Sequence, residues 1–116
     1  MLNLDTHMLL EAVAGRLSPS EARLLRSDRW SMSAIVLWEV AQLGRIVVDL
    51  DDAEVVRTLA RVHLWPITRE IARASTRLDV QSDPADELIA ATSVVHKVPL
   101  VTRDRALRRS RLIPLA

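Results

Sequence analysis

Short apolar segments alternate along the whole chain with well-marked helix starts, and this alternation constrains the fold more than any other feature. Two of the starts, Ser18-Pro19 and Asp83-Pro84, place a proline directly behind a capping residue, where its missing N–H costs nothing and its φ is already helical. Short apolar runs are typical of buried strands. Strands that alternate with helices favour a parallel sheet covered on both faces. We therefore predict an α/β fold of three layers, α/β/α, around a central and mainly parallel sheet.

The predicted helices begin at polar capping residues, and the predicted strands are the apolar runs between them. Ser18 with Glu21, and Asp51 with Glu54, fit the capping box, in which a polar N-cap and a later acid bond each other's backbone N–H. Gly15 is a typical helix stop. The strands are predicted at residues 2–4, 30–34, 64–67, 100–102 and 112–115. The helices are predicted at residues 6–14, 19–27, 35–44, 53–62, 69–78, 84–97 and 104–107.

Length and composition limit the possible classes of protein. At 116 residues the chain is predicted to form a single domain, residues 1–116. No apolar run is long enough to span a bilayer or to act as a secretory signal, so we expect a soluble cytoplasmic protein with no membrane partner. Without cysteine there is no thiolate nucleophile, and any metal must be bound by oxygen or imidazole. The two glycines leave no phosphate-binding glycine-rich loop.

Basic residues are concentrated near the end of the chain. Fifteen of the sixteen basic residues are arginine, and five of these fall in the last fourteen positions. Arginine grips phosphates in a fork, which favours a nucleic-acid partner, although an arginine-rich solvated end explains the same cluster. The arginines of this cluster are Arg103, Arg105, Arg108, Arg109 and Arg111.

Four acids stand where the predicted fold would bring them together. Asp5 and Asp104 each follow a strand, and Asp86 opens a helix on its packing face, so a parallel sheet would gather all three at one edge, where ligands bind. Asp at a helix start is also an ordinary cap. Glu39 lies inside the helix that Ser33 is expected to cap, and interrupts an apolar stripe; a margin position with a buried stem is the alternative.

Clustered carboxylates indicate a metal. They repel one another and would have raised pKa values unless a divalent cation neutralises them. Ligand sets made only of oxygen select hard ions such as magnesium or manganese. A hard ion beside an arginine-rich surface suggests phosphodiester chemistry, in which the metal lowers the pKa of a bound water and neutralises charge on the attacked phosphate.

Four ordered segments resemble the signature segments of PIN-domain ribonucleases and, among these, of the VapC-like toxins of bacterial toxin–antitoxin pairs. The likeness extends from Leu2 to Asp104, and four motifs in order are more specific than any one of them. The segments are Leu4-Asp5-Thr6-His7, Ser33-Ala34-Ile35-Val36-Leu37-Trp38-Glu39, Asp83-Pro84-Ala85-Asp86 with Ile89-Ala90-Ala91-Thr92, and Leu100-Val101-Thr102-Arg103-Asp104.

The resemblance implies a metal-dependent endoribonuclease that cleaves single-stranded RNA, with a cognate antitoxin protein as partner and a homodimeric state. One or two magnesium or manganese ions would be held by an acid quartet, namely Asp5, Glu39, Asp86 and Asp104. Asp83 would be an accessory acid and helix cap. Hydroxyls that orient the carboxylates or the metal's water would be those of Thr6, Ser33 and Thr102. Of the terminal arginines, RNA contacts are expected from Arg103, Arg105 and Arg108.

Two departures from the family pattern keep other functions open. Many relatives carry a serine where this chain has Val36, and an arginine where it has Glu87, so a hydroxyl near Glu39 is lost and a positive charge beside the site is reversed. One alternative is a catalytically silent PIN-fold module that binds RNA or a protein. Another is a metal-dependent phosphoesterase that acts on DNA or a small substrate.

The remaining aromatic and imidazole side chains are predicted to be structural. No spacing along the sequence brings two of the three histidines, His7, His63 and His96, together. For the tryptophans, packing in the core or an interface is expected rather than stacking on bases. These tryptophans are Trp30, Trp38 and Trp65.

Overall fold

The computed structural model describes residues 1–43 and 47–116, and these residues confirm the predicted α/β fold class. The strands are β1 (Leu2–Leu4), β2 (Trp30–Ser33), β3 (His63–Trp65) and β4 (Leu100–Val101). They form one parallel sheet in the order β3-β2-β1-β4. Because the strands share a direction, the sheet has a C-terminal edge, where they all end, and an N-terminal edge, where they all begin.

Helices connect the strands and cover the sheet. Their bounds are α1 (Thr6–Ala14), α2 (Pro19–Arg26), α3 (Ala34–Leu43), α4 (Ala53–Ala60), α5 (Arg69–Ser75), α6 (Pro84–His96) and α7 (Arg105–Arg108). α5 packs along α6, and α6 also contacts α3 and β2. The predicted end of α3 at Gly44 lies outside the described residues. Within the described part of the chain, no helix has the length and apolarity needed to cross a membrane.

One of the two predicted capping boxes is confirmed and the other is wrong. The Ser18 hydroxyl accepts from the Glu21 N–H at 3.2 Å, and the Glu21 carboxylate accepts from the Ser18 N–H at 2.8 Å. α4 is instead capped by Asp52, whose carboxylate accepts from the N–H groups of the second and third helical residues. Asp51 lies in the turn before it, where its N–H donates to the Asp49 side chain at 2.9 Å, and the cap is therefore one residue after the predicted one.

The last predicted strand is wrong, and the third is shorter than predicted. Residues 112–115 make a single parallel bridge, from Leu115 to Leu100. The Ser110 hydroxyl accepts from two successive N–H groups in this segment, at 3.0 and 2.9 Å, and Pro114 has no N–H to extend a ladder. β3 likewise ends at Trp65, directly before Pro66.

The core lies between the sheet and its helices and contains one polar tether. Asn3 in the central strand β1 is fully buried, and its side-chain amide donates to the Ile89 carbonyl at 3.1 Å and to the Ser93 hydroxyl at 2.9 Å. These bonds join β1 to α6. The tether is surrounded by fully buried apolar side chains, among them Leu4, Met8, Met32, Val36, Ile89, Leu100 and Leu107.

Two histidines that spacing along the sequence leaves apart contact the same tryptophan. The rings of Trp65 and His96 stack with centroids 4.0 Å apart, and His63 meets Trp65 edge-on at 4.2 Å. Both histidines therefore pack against Trp65, in keeping with the structural role predicted for them. The contact joins the edge strand β3 to the last turn of α6, and spacing along the chain cannot reveal a contact between separate elements.

Candidate active site

Asp5 is a buried carboxylate held by two hydrogen bonds. It follows β1 and caps α1, with only 5% of its surface exposed. One carboxylate oxygen accepts from the Met8 N–H at 2.8 Å, and the other accepts from the Thr102 hydroxyl. Burial raises the pKa of the Asp5 carboxyl, the nearby Asp104 charge adds to this rise, and the two hydrogen bonds and His7 oppose it.

Asp86 and Asp104 are joined by a serine hydroxyl. The Ser82 Oγ lies 3.3 Å from Oδ2 of Asp86 and 3.2 Å from Oδ2 of Asp104. Asp86 is in the first turn of α6, and Asp104 caps α7 by accepting from the Leu107 N–H at 3.1 Å. Hydrogen bonds within the protein therefore orient both carboxylates.

The pKa of Asp86 is affected by all three of the other acids in the quartet. Its pKa is raised to about 6, first by burial and then by the negative charges of Glu39, Asp5 and Asp104. Glu39 approaches from α3, where its carboxylate accepts a hydrogen bond from the Thr6 hydroxyl of α1. Glu39, Asp5 and Asp104 thus all lie within electrostatic reach of Asp86. Asp5, Asp86 and Asp104 meet at the C-terminal edge of the sheet, where the sequence predicted these three acids.

Among the described residues, none of the ion pairs involves a member of the acid quartet. As the side chains are placed, no three acids or histidines in the described ranges converge closely enough to bind one metal ion. The donor set nevertheless fits a hard divalent cation, because it consists of carboxylates whose mutual repulsion such an ion relieves. Binding would require the carboxylates to turn toward a common point.

An open groove of about 610 Å³ runs beside the quartet. Glu39 and Asp86 line this groove, and so does Trp38, which is 57% exposed. The other lining residues are Thr6, His7, Leu10, Gln42 and Leu43. A chain-like ligand could therefore reach the acids from solvent while resting on apolar surface.

The predicted hydroxyl residues differ in what they contact. Thr102 donates to Asp5 and accepts from the Asp104 N–H at 3.0 Å, and Thr6 donates to Glu39. Ser33 is fully buried, and its hydroxyl accepts a hydrogen bond from the Ile35 N–H at 3.3 Å. This bond is at the start of α3 and does not involve a carboxylate.

Asp83 occupies the N-cap position of α6, but its side chain makes no capping hydrogen bond, so the predicted side-chain cap is wrong. The carboxylate is exposed to solvent. Repulsion from Asp86, three residues further along the same helix, favours this orientation. Asp83 therefore stands apart from the hydrogen bonds that hold the quartet.

The three arginines predicted to contact RNA have different surroundings. Arg103 makes two hydrogen bonds to the Glu21 carboxylate, at 2.8 and 2.6 Å, and a third contact to Glu11 at 3.5 Å. These bonds lower the pKa of Glu21 to about 2 and occupy the guanidinium with acids of the same chain. Arg108 donates to the Thr102 carbonyl at 3.1 Å, and Arg105 is exposed on α7.

Ser82 is the residue at this edge that sequence reasoning missed. It lies in the connection before α6, outside any helical or strand periodicity, and nothing in its local sequence marks it as a partner of two acids. The two residues that depart from the family pattern, Val36 and Glu87, have different surroundings. Val36 is fully buried in the core, and the Glu87 carboxylate accepts from the Ser82 N–H at 3.5 Å.

A parallel sheet with acids following β1 and β4, and with further acids on α3 and α6, is the arrangement expected of a PIN domain. The PIN domain family model matches residues 3–111, and the chain belongs to this family. It is 33% identical to Ribonuclease VapC22 of Mycobacterium tuberculosis, over 93% of this chain and 90% of that protein. The predicted family resemblance is confirmed.

Solved structures share the fold. A toxin–antitoxin complex from Klebsiella pneumoniae contains a chain that matches with a TM-score of 0.73 and 20% identity, over 90% of this chain and 87% of that chain. FitAcB from Neisseria gonorrhoeae matches with a TM-score of 0.74 and 18% identity, over 99% of this chain and 96% of that chain.

Proposed function

We propose that this chain is a magnesium- or manganese-dependent endoribonuclease that cleaves single-stranded RNA as the toxin of a toxin–antitoxin pair. The observation that carries the proposal is the acid quartet, in which Asp86 has a pKa of about 6 and no cation of the described residues balances the charge. The 33% identity to a protein named as a ribonuclease supports RNA as the substrate.

In this proposal Asp5, Glu39, Asp86 and Asp104 hold the metal, which supplies an activated water and neutralises charge on the phosphate under attack. The chain's own hydroxyls orient the carboxylates: Thr6 bonds Glu39, Thr102 bonds Asp5, and Ser82 lies between Asp86 and Asp104. Second contacts of this kind fix ligand geometry around metals.

The chain itself positions the substrate. Phosphates would be held by Arg105 and Arg108, which are exposed on α7 directly after Asp104. Arg103 holds α1, α2 and the β4–α7 connection together through Glu11 and Glu21 instead. No covalent intermediate on the protein is required, because water is the attacking group.

An antitoxin would cover the groove beside the quartet. The groove exposes Trp38 at 57% and Leu43 at 46%, and such apolar side chains favour a protein partner. The toxin–antitoxin complex that shares the fold supports this partner. The proposal also includes a homodimer that acts on RNA in the cytoplasm, as the family resemblance implies.

The decisive experiment is cleavage of an end-labelled pool of single-stranded RNA, with manganese or magnesium compared with a chelator. Asp86→Asn should abolish cleavage, while circular dichroism shows that it remains folded. Glu70→Gln is the matched control, because Glu70 is an exposed acid in the first turn of α5, as Asp86 is in the first turn of α6.

Three results would contradict the proposal in different ways. Wild-type protein that binds manganese but cleaves nothing would indicate a silent PIN-fold module that binds RNA or a protein. Cleavage of DNA or of a small phosphodiester in preference to RNA would indicate another phosphoesterase. Failure to bind manganese at all would show that the acids act only as helix caps and surface charges.

A further inference from the structure

A cavity of about 290 Å³ opens at the N-terminal edge of the sheet, at the opposite end of the strands from the acid quartet. Its lining residues come from the segments that directly precede β2 and β3, together with α4. They are Arg29, Trp30, Thr58, Arg61 and Val62. We propose that this cavity is a second nucleotide site, in which the two arginines hold a phosphate and the Trp30 indole stacks on the base.

The two arginines are brought together by the register of the sheet. Ser31 pairs with His63, so Arg29 and Arg61 lie two positions before paired residues on adjacent parallel segments. Both side chains are exposed and line the same cavity. Within the described residues, neither guanidinium forms an ion pair or a hydrogen bond. Two adjacent cations repel each other, and a phosphate between them relieves this repulsion.

Asp28, the acid next to Arg29 in the sequence, is already engaged. Asp28 interacts electrostatically with Arg29, but its carboxylate binds the N-terminal ammonium group and accepts from the Arg29 N–H at 2.7 Å. These bonds lower the pKa of Asp28, chiefly through the N-terminal ammonium. Asp28 does not line the cavity, so the positive charge of the two arginines faces its interior.

Trp30 is held in a fixed orientation. Its indole N–H donates to the Leu25 carbonyl at 2.7 Å, so the ring is anchored at one edge while it lines the cavity. Val62 gives the cavity an apolar surface beside the ring. An anchored aromatic face beside cationic side chains suits a nucleobase that carries a phosphate, because every base can stack and the phosphate meets the guanidinium groups.

Two acids in a cavity next to Trp30 limit where a bound nucleotide can place its phosphate. Trp30 and Thr58 also line a neighbouring cavity of about 250 Å³, whose wall includes Asp52 and Glu54. These carboxylates repel phosphate, so a bound nucleotide must place its phosphate on the side of Arg29 and Arg61. An acidic peptide could meet the arginines, but it would leave the indole surface unused, and we therefore favour a nucleotide.

The ligand chemistry has two possible sources, a free nucleotide or one nucleotide of an RNA strand. The RNA source rests on the proposed function, because the strand would be the substrate held away from the point of cleavage. The test is performed in a chelator, where no metal-dependent cleavage occurs. Failure of the cleavage proposal and failure of this site are therefore separate results.

The probes are AMP and a 2′-O-methyl oligoribonucleotide of ten residues. In ¹⁵N-labelled protein, both should shift the indole N–H resonance of Trp30. Trp38 provides an internal reference, since it lies in the groove beside the quartet. Binding of the oligonucleotide tighter than AMP identifies an RNA strand as the source, and equal affinities identify a free nucleotide.

Arg29→Gln combined with Arg61→Gln should weaken oligonucleotide binding about tenfold or more at low salt. Because the two arginines hold one phosphate, their loss should also reduce the slope of log affinity against log salt by about 0.7. The matched control is Arg23→Gln combined with Arg57→Gln, which removes the same charge from exposed positions that do not line the cavity.

The proposal is overturned if the probes shift Trp38 and leave Trp30 unchanged, since the ligand then lies at the C-terminal edge. It is equally overturned if both double variants bind alike, because net charge alone would then explain binding. Displacement of AMP by a polyglutamate peptide of equal affinity would show a protein-docking surface instead.

Discussion

The acid quartet and the acid pair Glu11–Glu21 hold carboxylates in opposite ways, although α1 contributes to both. Arg103 bonds Glu21 twice and also contacts Glu11, and the pKa of Glu21 falls to about 2. In the quartet, the pKa of Asp86 rises to about 6, because the carboxyl is partly buried and its neighbours are other acids. The pair Glu11–Glu21 is neutralised by an arginine, whereas no described residue forms an ion pair with the quartet.

Acids that stabilise the fold and acids that are available to bind a metal therefore lie close together in the structure. Paired acids stabilise the fold and need nothing further. Unpaired, partly buried acids lower the stability of the folded state and persist where an external cation completes them. The contrast predicts that a divalent metal and single substitutions will affect the two groups in opposite directions.

The largest expected effect is stabilisation by manganese. At a free concentration of one hundred times its Kd, manganese should raise the free energy of unfolding of the wild type by about 2.7 kcal/mol. Asp86→Asn should lose most of this gain, whereas Glu21→Gln should keep it. Urea denaturation with and without manganese measures both. Equal stabilisation of the two variants would place the ion outside the quartet.

The next effect concerns Ser82, which joins Asp86 and Asp104. Ser82→Ala should weaken manganese binding about tenfold, because two carboxylates lose the hydroxyl that orients them. Ser82→Thr keeps the hydroxyl and should restore most of the affinity. Isothermal titration gives the values directly. If Ala and Thr bind manganese equally, the hydroxyl has no part in orienting the acids.

A smaller effect is the gain in stability from Asp86→Asn without metal. The pKa of Asp86 rises from 3.8 to about 6 on folding, so its protonated form stabilises the fold below pH 3.8, and this contribution is lost as pH rises through 6. At pH 8 in chelator, Asn should stabilise by about 1 kcal/mol, after allowance for screening by solvent. The gain should vanish below pH 4.

The smallest effect is the loss of the Arg103 pairs. Arg103→Gln should lower the Tm at pH 7 by about 2 °C, because exposed ion pairs contribute little even with good geometry. The pKa of Glu21 is lowered, so its contribution is present above pH 4.5 and is lost as pH falls through 2. Thermal melts at pH 7 and 2 test this. Arg105→Gln is the control, and a larger loss there would contradict the comparison.

Local signals were sufficient to predict the fold because helix caps and apolar periodicity act over a few residues. The Ser18–Glu21 capping box and the stop at Gly15, with φ of 71°, are examples. The sequence predicted Asp51 as the cap of α4, but Asp52 also precedes this helix and is the residue that caps it. The strand predicted at 112–115 failed for a similar reason, since Ser110 accepts hydrogen bonds that a local apolar pattern does not reveal.

The gathering of the acids could be predicted because it follows from topology: residues after parallel strands share an edge. The partners of individual side chains could not. Ser82 contacts Asp104 across 22 positions of sequence, and Arg103 contacts Glu21 across 82. Such contacts depend on how separate elements pack, and an arginine beside an acidic site has no local feature that tells whether it binds a phosphate or a glutamate.

The Asn3 tether affects which substitutions the core of this family member can accept. Asn3 lies two residues before Asp5, and its acceptor Ile89 lies three residues after Asp86, so the tether fixes the axial and rotational setting of α6 relative to β1. Apolar side chains pack adequately over a range of such settings, whereas a buried amide has few acceptors within reach. Neighbouring core positions can therefore exchange one apolar residue for another while the distance between Asp5 and Asp86 stays constant.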